Sequence, residues 1–224
     1  EGTWNSVVFD DFLEKRKTVS QRLGDQDPNS NGFVGDYTDG YNGTSQDVLI
    51  PTFLAAYSGR SADDISLKSF DKYIPIPNWR ITYDGLEKVP LINRVFKKFS
   101  VNHSYSSKFN VSSFTSNLLF LDDGSARDIN NNFIPENQIS AVSISEQFSP
   151  LMGFDMTLNN NMIIRVEYKK DRNASLSLSN SQITEIKGRE WVIGTGYKFR
   201  NIRVPFIKRR IQSDVDTRID FSIR

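Results

Sequence analysis

The chain has 224 residues, with 28 basic and 27 acidic side chains, a balance that gives no support to a nucleic-acid or polyanion partner. It has no cysteine, which excludes a disulfide framework, a thiolate metal site and a cysteine nucleophile. No uninterrupted apolar run approaches the roughly 20 residues of a membrane helix; a transmembrane barrel stays open, because barrel strands are only half apolar.

In chain order, residues Ser6 to Leu23 read as an amphipathic helix, with Val8, Phe12 and Val19 on one face. Asp25 to Gly43 is a loop rich in Gly, Asn and Asp. Within it, Asp27-Pro28-Asn29-Ser30-Asn31-Gly32 matches the first half of an EF-hand calcium loop, but Thr38 stands where the bidentate Glu belongs. Val48 to Tyr57 is an apolar patch, followed by Gly59 and a short helix from Ala62. Ile74-Pro75-Ile76-Pro77 forces extended backbone. It leads into a strand, Asn78 to Asp84, where Trp79, Ile81 and Tyr83 alternate with Arg80 and Thr82. Leu86 to Lys98 is a short helical or irregular connector. A second strand carries Phe99, Val101, Tyr105, Phe109 and Val111, and Ser112 to Gln138 is a long polar connection.

From Ile139 to Phe199 the chain alternates apolar and polar residues, which puts successive side chains on opposite faces of a sheet. Loop lengths that preserve or switch parity divide this stretch into four strands. A three-residue loop, Asn159–Asn161, sets Leu158 against Met162, Phe154 against Val166 and Asp155 against Arg165. A second, Asp171–Asn173, sets Tyr168 beside Leu176 and Val166 beside Leu178. A two-residue Lys187-Gly188 turn accounts for the changed parity of Trp191, Ile193, Tyr197 and Phe199. Pro150 cannot donate to a ladder, which places its run at an edge or divides it in two. Parity breaks again at Arg200-Asn201. Lys208-Arg209-Arg210 reads as a solvated loop, and Asp214 to Arg224 as a last strand. The chain opens at Glu1 and closes on this strand-like run, and it is expected to be a fragment of something longer. No period of 20–50 residues recurs, which argues against a solenoid.

The predicted class is therefore mainly β, with antiparallel strands. A helix- and loop-containing region is expected over residues 1–76, and sheet strands with intervening loops over 77–224. The alternation alone fits either a soluble sandwich or a membrane barrel whose apolar face meets lipid. The polar row of Ser143, Ser145, Asp155, Arg165, Glu167, Lys169, Ser175, Ser177 and Ser179 suits a wet lumen or a solvated face. The strand-end aromatics Trp79, Phe148, Tyr168, Trp191 and Tyr197 suit interfacial girdles or a core.

No enzyme is read from the sequence. The single histidine, His103, alternates in a strand with Val101 and Tyr105 and has no evident partner. Asp122-Asp123 lie adjacent in a glycine-containing loop, where carboxylates cap or solvate. No Walker loop or dinucleotide fingerprint is present, and no catalytic, cofactor or metal residues are assigned. Sequons at Asn42, Asn102, Asn110 and Asn173 carry little weight, since two fall in or beside strands.

Several segments resemble the C-terminal part of the SprA/Sov family, the outer-membrane translocon of the Bacteroidetes type IX secretion system. They are SQDVLIPTFLAAYSGR at Ser45–Arg60, IPIPNWRITYDGL at Ile74–Leu86, SFTSN at Ser113–Asn117, the stretch Arg127–Leu158 and the stretch Glu167–Phe199. Together they cover most of the chain in order; family members are far longer single chains with a signal peptide. The resemblance implies a very large multi-pass transmembrane β-barrel in the cell outer membrane that passes folded cargo bearing C-terminal signal domains. In gliding species it implies export of motility adhesins to the cell surface. It implies as partners the remainder of the same barrel chain, a smaller outer-membrane barrel at a lateral opening, a periplasmic plug protein, the secreted cargo and outer-membrane lipid, with no cofactor. The six or seven strands foreseen here cannot close a wide barrel alone. Short turns are periplasmic in such barrels. That puts Asn159–Asn161 and Lys187-Gly188 in the periplasm, with Ser112–Gln138, Arg200–Ser213 and residues 1–73 outside. The alternatives are a TonB-dependent type of barrel and a soluble β-sandwich binding or adhesion module.

Overall fold

The computed structural model describes residues 7–67, 78–199 and 215–224. The Ile74–Pro77 run, the parity break at Arg200-Asn201 and the Lys208–Arg210 patch lie outside the described residues.

The protein is mainly β. Two helices come first: α1 (Val7–Gly24), then a two-stranded ribbon of β1 (Phe33–Val34) and β2 (Tyr37–Thr38), then α2 (Gln46–Ser58). Six strands make one antiparallel sheet in sequence order: β3 (Trp79–Tyr83), β4 (Phe96–Ser116), β5 (Asn137–Leu158), β6 (Met162–Ser177), β7 (Gln182–Phe199) and β8 (Val215–Ile223). A 3-10 turn, Gly85–Lys88, and the one-turn helix α3 (Pro90–Asn93) connect β3 to β4. β3 and β8 are the sheet's two edges among the described residues. The chain forms two compact units. The first comprises residues 7–67, Phe109–Ile144 and Ala174–Glu185; the second comprises residues 78–108, Ser145–Asn173 and the described residues from Ile186 on.

In the first unit, α1 behaves as its periodicity predicts: Phe12 and Val19 are buried and Val8 packs against the core. The apolar patch is α2. Gly59 stops it in the left-handed conformation at φ 68°, and its N–H donates to Ala55 O. Every residue from Val48 to Tyr57 is buried. A helix apolar on all sides has to be surrounded, and α1 covers part of it. Val142 and Ile144 of β5 and Ala174 and Leu176 of β6 join the same core. The segment from Ala62 forms turns rather than a helix. The Arg22 guanidinium donates to the carbonyls of Ala62 and Ile65 in these turns.

In the second unit the Asn159–Asn161 loop is as predicted. It has three residues, with Asn161 left-handed at φ 67°, and Arg165 Nε donates to Asp155 Oδ1 at 2.7 Å across the hairpin. β5 is one strand of 22 residues that runs through Pro150 in the interior of the sheet, not two strands or an edge.

The two later turns are elsewhere than predicted. β6 continues through Asp171–Asn173, and the reversal comes at residues 178–181. Tyr168 therefore does not meet Leu176. It lies on Trp191 of β7, ring centroids 4.7 Å apart. Lys187-Gly188 is in the interior of β7. Gly188 serves a close approach instead of a turn: a Cβ there would collide with the Asp171 carboxylate reaching over from β6. The long polar connection is shorter than expected, because β4 runs to Ser116 and β5 starts at Asn137. Its base is closed by Asn117 N–H donating to Glu136 O at 2.8 Å.

Candidate membrane-facing surface

Register determines what each face of the second unit presents. Trp79 is opposite Tyr105, Ile81 opposite His103 and Tyr83 opposite Val101. At the other edge Trp191 is opposite Ile223, Ile193 opposite Phe221 and Phe199 opposite Val215. Strand parity puts these on the face that also carries Phe154, Val166 and Tyr168. The face is aromatic, since Trp79 stacks on Tyr105 at 4.5 Å, and Tyr105 meets Phe148 at 4.7 Å and Tyr197 meets Phe199 at 4.8 Å. It is also open: Ile81 is 57%, Ile193 50% and Phe221 65% exposed. Scattered exposed apolar residues need no explanation, but a contiguous row across neighbouring strands marks a surface that something covers. β8 has 9 residues, the roughly 9–11 that a tilted strand needs to span a bilayer.

The opposite face is ionic. Asn102 donates to Asp155 at 2.7 Å, and Arg165 joins Asp155 to Glu167, 3.5 Å from the latter, with Lys169 3.6 Å beyond. Lys198 pairs with Asp216 at 3.7 Å and Arg218 with Asp220 at 2.8 Å. Gly194 leaves the space that the Asp220 carboxylate occupies. Partly exposed pairs of this kind contribute little stability each. Their consequence is a continuous polar wall one pleat away from an oily one.

The residues that sequence reading singled out for chemistry are engaged structurally. His103 Nδ1 donates to Leu151 O at 2.7 Å, between the rings of Trp79 and Phe148. The Asp123 carboxylate accepts from Ser125 N–H and Oγ, which holds its pKa below the usual range. Asp122 is exposed in the same loop. Asp27 accepts from Asn29 N–H at 2.9 Å and from the Tyr41 hydroxyl at 2.6 Å, while Thr38 donates to Ser20 O. The half-motif thus serves as a loop staple. Among the described residues no group of three or more His, Asp or Glu side chains is placed to hold a metal ion. No helix among them is long and apolar enough to cross a membrane, which says nothing of strands.

Sequence reading did not find the first unit's principal ion pair. Arg127 grips Asp39 with both nitrogens, at 2.8 and 2.9 Å, and lies 4.3 Å from the Phe133 ring centroid. Arg127 lowers the Asp39 pKa to about 2. The pair's contribution is complete above the ordinary value of 3.8 and is lost as pH falls through about 2. Arg127→Ala is expected to destabilise the first unit by about 2–3 kcal/mol, because a bidentate charged bond goes and its carboxylate loses its main partner. Urea unfolding followed by hydrogen exchange in residues 117–136 measures it; a loss below 0.5 kcal/mol, roughly the range of neutral surface changes, would refute the assignment.

Asp47 is strained in the opposite sense. Burial raises its pKa to about 6, outweighing the favourable first-turn position on α2. Ionisation then costs stability above about pH 6, and the cost vanishes below the ordinary 3.8. Asp47→Asn is expected to stabilise the protein at pH 7.5 by about 1–2 kcal/mol, after allowance for partial solvent screening, and not at pH 3.5. Unfolding curves at the two pH values decide it, and equal effects at both would count against burial as the cause.

No family model matches this sequence, and no curated protein matches it.

Proposed function

We propose that this chain supplies wall strands of a very large outer-membrane β-barrel, the protein-conducting channel of a type IX secretion system of the SprA/Sov kind. The channel exports folded proteins that carry a C-terminal secretion signal, adhesins of gliding motility among them. The observation that carries the reading is the pairing of an exposed aromatic and aliphatic face with an ion-paired polar face on the same six strands. Lipid takes the first and water the second. The quoted sequence resemblance supports the same reading. β3 and β8 pair with further strands of the barrel, since six strands enclose no wide passage. The reading assigns no reacting group, no metal and no cofactor, because conduction needs a wide polar passage.

Strand direction revises the expected topology. With Asn159–Asn161 in the periplasm, the 178–181 turn and the 117–136 loop face outside. β7 ends beside Asn161, with Lys198 N–H donating to Asn161 O, and Phe199 pairs with Val215. On this reading the end of β7 and the start of β8 lie on the periplasmic side. Cysteines at Asn160 and Asn180 test this in intact cells. An impermeant maleimide is expected to label Asn180→Cys at once and Asn160→Cys only after the outer membrane is opened. Labelling of Asn160→Cys in intact cells would reverse the topology, and release of the chain from membranes without detergent would end the barrel reading.

A further inference from the structure

Three observations about β6 and β7 fix their register. Tyr168 lies on Trp191, a Cβ on Gly188 would meet Asp171, and one on Gly194 would meet Arg165. Antiparallel pairing then sets Lys170 opposite Arg189 and Arg172 opposite Lys187, all four on the face of Tyr168 and Trp191. Like charges directly opposite one another repel and weaken a sheet. Two such pairs are stacked here. Glu146 answers part of the charge, with Arg172 3.1 Å from it, and Glu185 is the next residue of the same parity beyond Lys187. An excess of two positive charges remains. Lys170 and Arg189 are exposed and have no ion-pair partner among the described residues.

The cluster's position explains what it is for. Lys170 and Arg189 sit one same-face step beyond the Tyr168–Trp191 ring pair, about 7 Å along the strands. Aromatic pairs at the margin of an apolar band lie at headgroup level. The cations are then level with lipid phosphates.

Resting on the barrel reading above, we propose that Lys170, Arg172, Lys187 and Arg189 seat the phosphate of an anionic lipid headgroup. The phosphate relieves the cross-strand repulsion, and the acyl chains run down the apolar face past Tyr168 and Trp191. The occupant is a lipid because the apolar band continues directly from the cations.

The test uses the whole barrel that contains this chain, purified in neutral detergent, with vesicles of pure phosphatidylcholine, or of equal parts phosphatidylcholine and phosphatidylglycerol. The unaltered chain is expected to prefer the anionic vesicles, and the double change Lys170→Ala with Arg189→Ala to reduce that preference by about thirty-fold. The charge-conserving pair Lys170→Arg with Arg189→Lys keeps it. In neutral detergent the alanine pair leaves thermal stability unchanged or higher, since only repulsion is lost; a lower melting temperature would show that the cations hold the sheet instead and overturn the site. Equal insertion into both vesicles overturns the lipid site and leaves the barrel reading standing, whereas insertion into neither overturns both. Full competition by inorganic phosphate would show an anion seat without lipid, and would also overturn the proposal.

Discussion

Ile193→Arg is expected to abolish stable membrane assembly of this chain. Ile193 is half exposed and opposite Phe221, well inside the apolar band. On the proposed reading it faces lipid near the bilayer centre, where an added arginine costs about 2–4 kcal/mol. A water-facing isoleucine this exposed would tolerate the change within about 0.5 kcal/mol. The two readings thus predict results that differ by a factor of roughly 10 or more in the folded population. Thr157→Arg, on the polar face of β5, is the control and should be nearly neutral. Protease resistance and urea unfolding in lipid, measured on both variants, separate the cases. If Ile193→Arg behaves like Thr157→Arg, the apolar face does not meet acyl chains.

Phe53→Ala tests the other unit and should cost about 3–5 kcal/mol, the range for a fully buried phenylalanine whose cavity cannot collapse. Phe53 is completely buried, stacks on Tyr57 at 4.9 Å, and sits in a helix buried on all sides. Neighbours on every side are already packed, so little can move into the void. Phe53→Leu retains much of the volume and should cost less than half as much. Denaturant unfolding followed by hydrogen exchange in α2 reads both. A penalty near 1 kcal/mol for the alanine would mean that the helix is not packed as described.

The misplaced turns show what alternation can and cannot encode. A three-residue loop keeps parity, and so does an uninterrupted strand. Tyr168 and Leu176 therefore share a face whether or not Asp171–Asn173 turns, and Lys170 and Arg172 made the interruption look like a loop. A two-residue and a four-residue turn both switch parity, so Lys187-Gly188 and 178–181 explain Trp191 and Ile193 equally well. Asp171 decides between them, since its carboxylate needs the room that Gly188 leaves. The Arg127–Asp39 pair was hidden for a different reason: 88 positions separate its members, and neither belongs to a periodic pattern.

By itself the sequence determined the strand class, the two faces of each strand, the first helix and the Asn159–Asn161 hairpin, because all of these follow from side-chain period and local turn chemistry. Only the tertiary structure decided how long β5, β6 and β7 are, where β6 reverses and which cations face each other on the apolar side. Those depend on which neighbour a strand meets, and a period of two repeats identically at every register shifted by two residues.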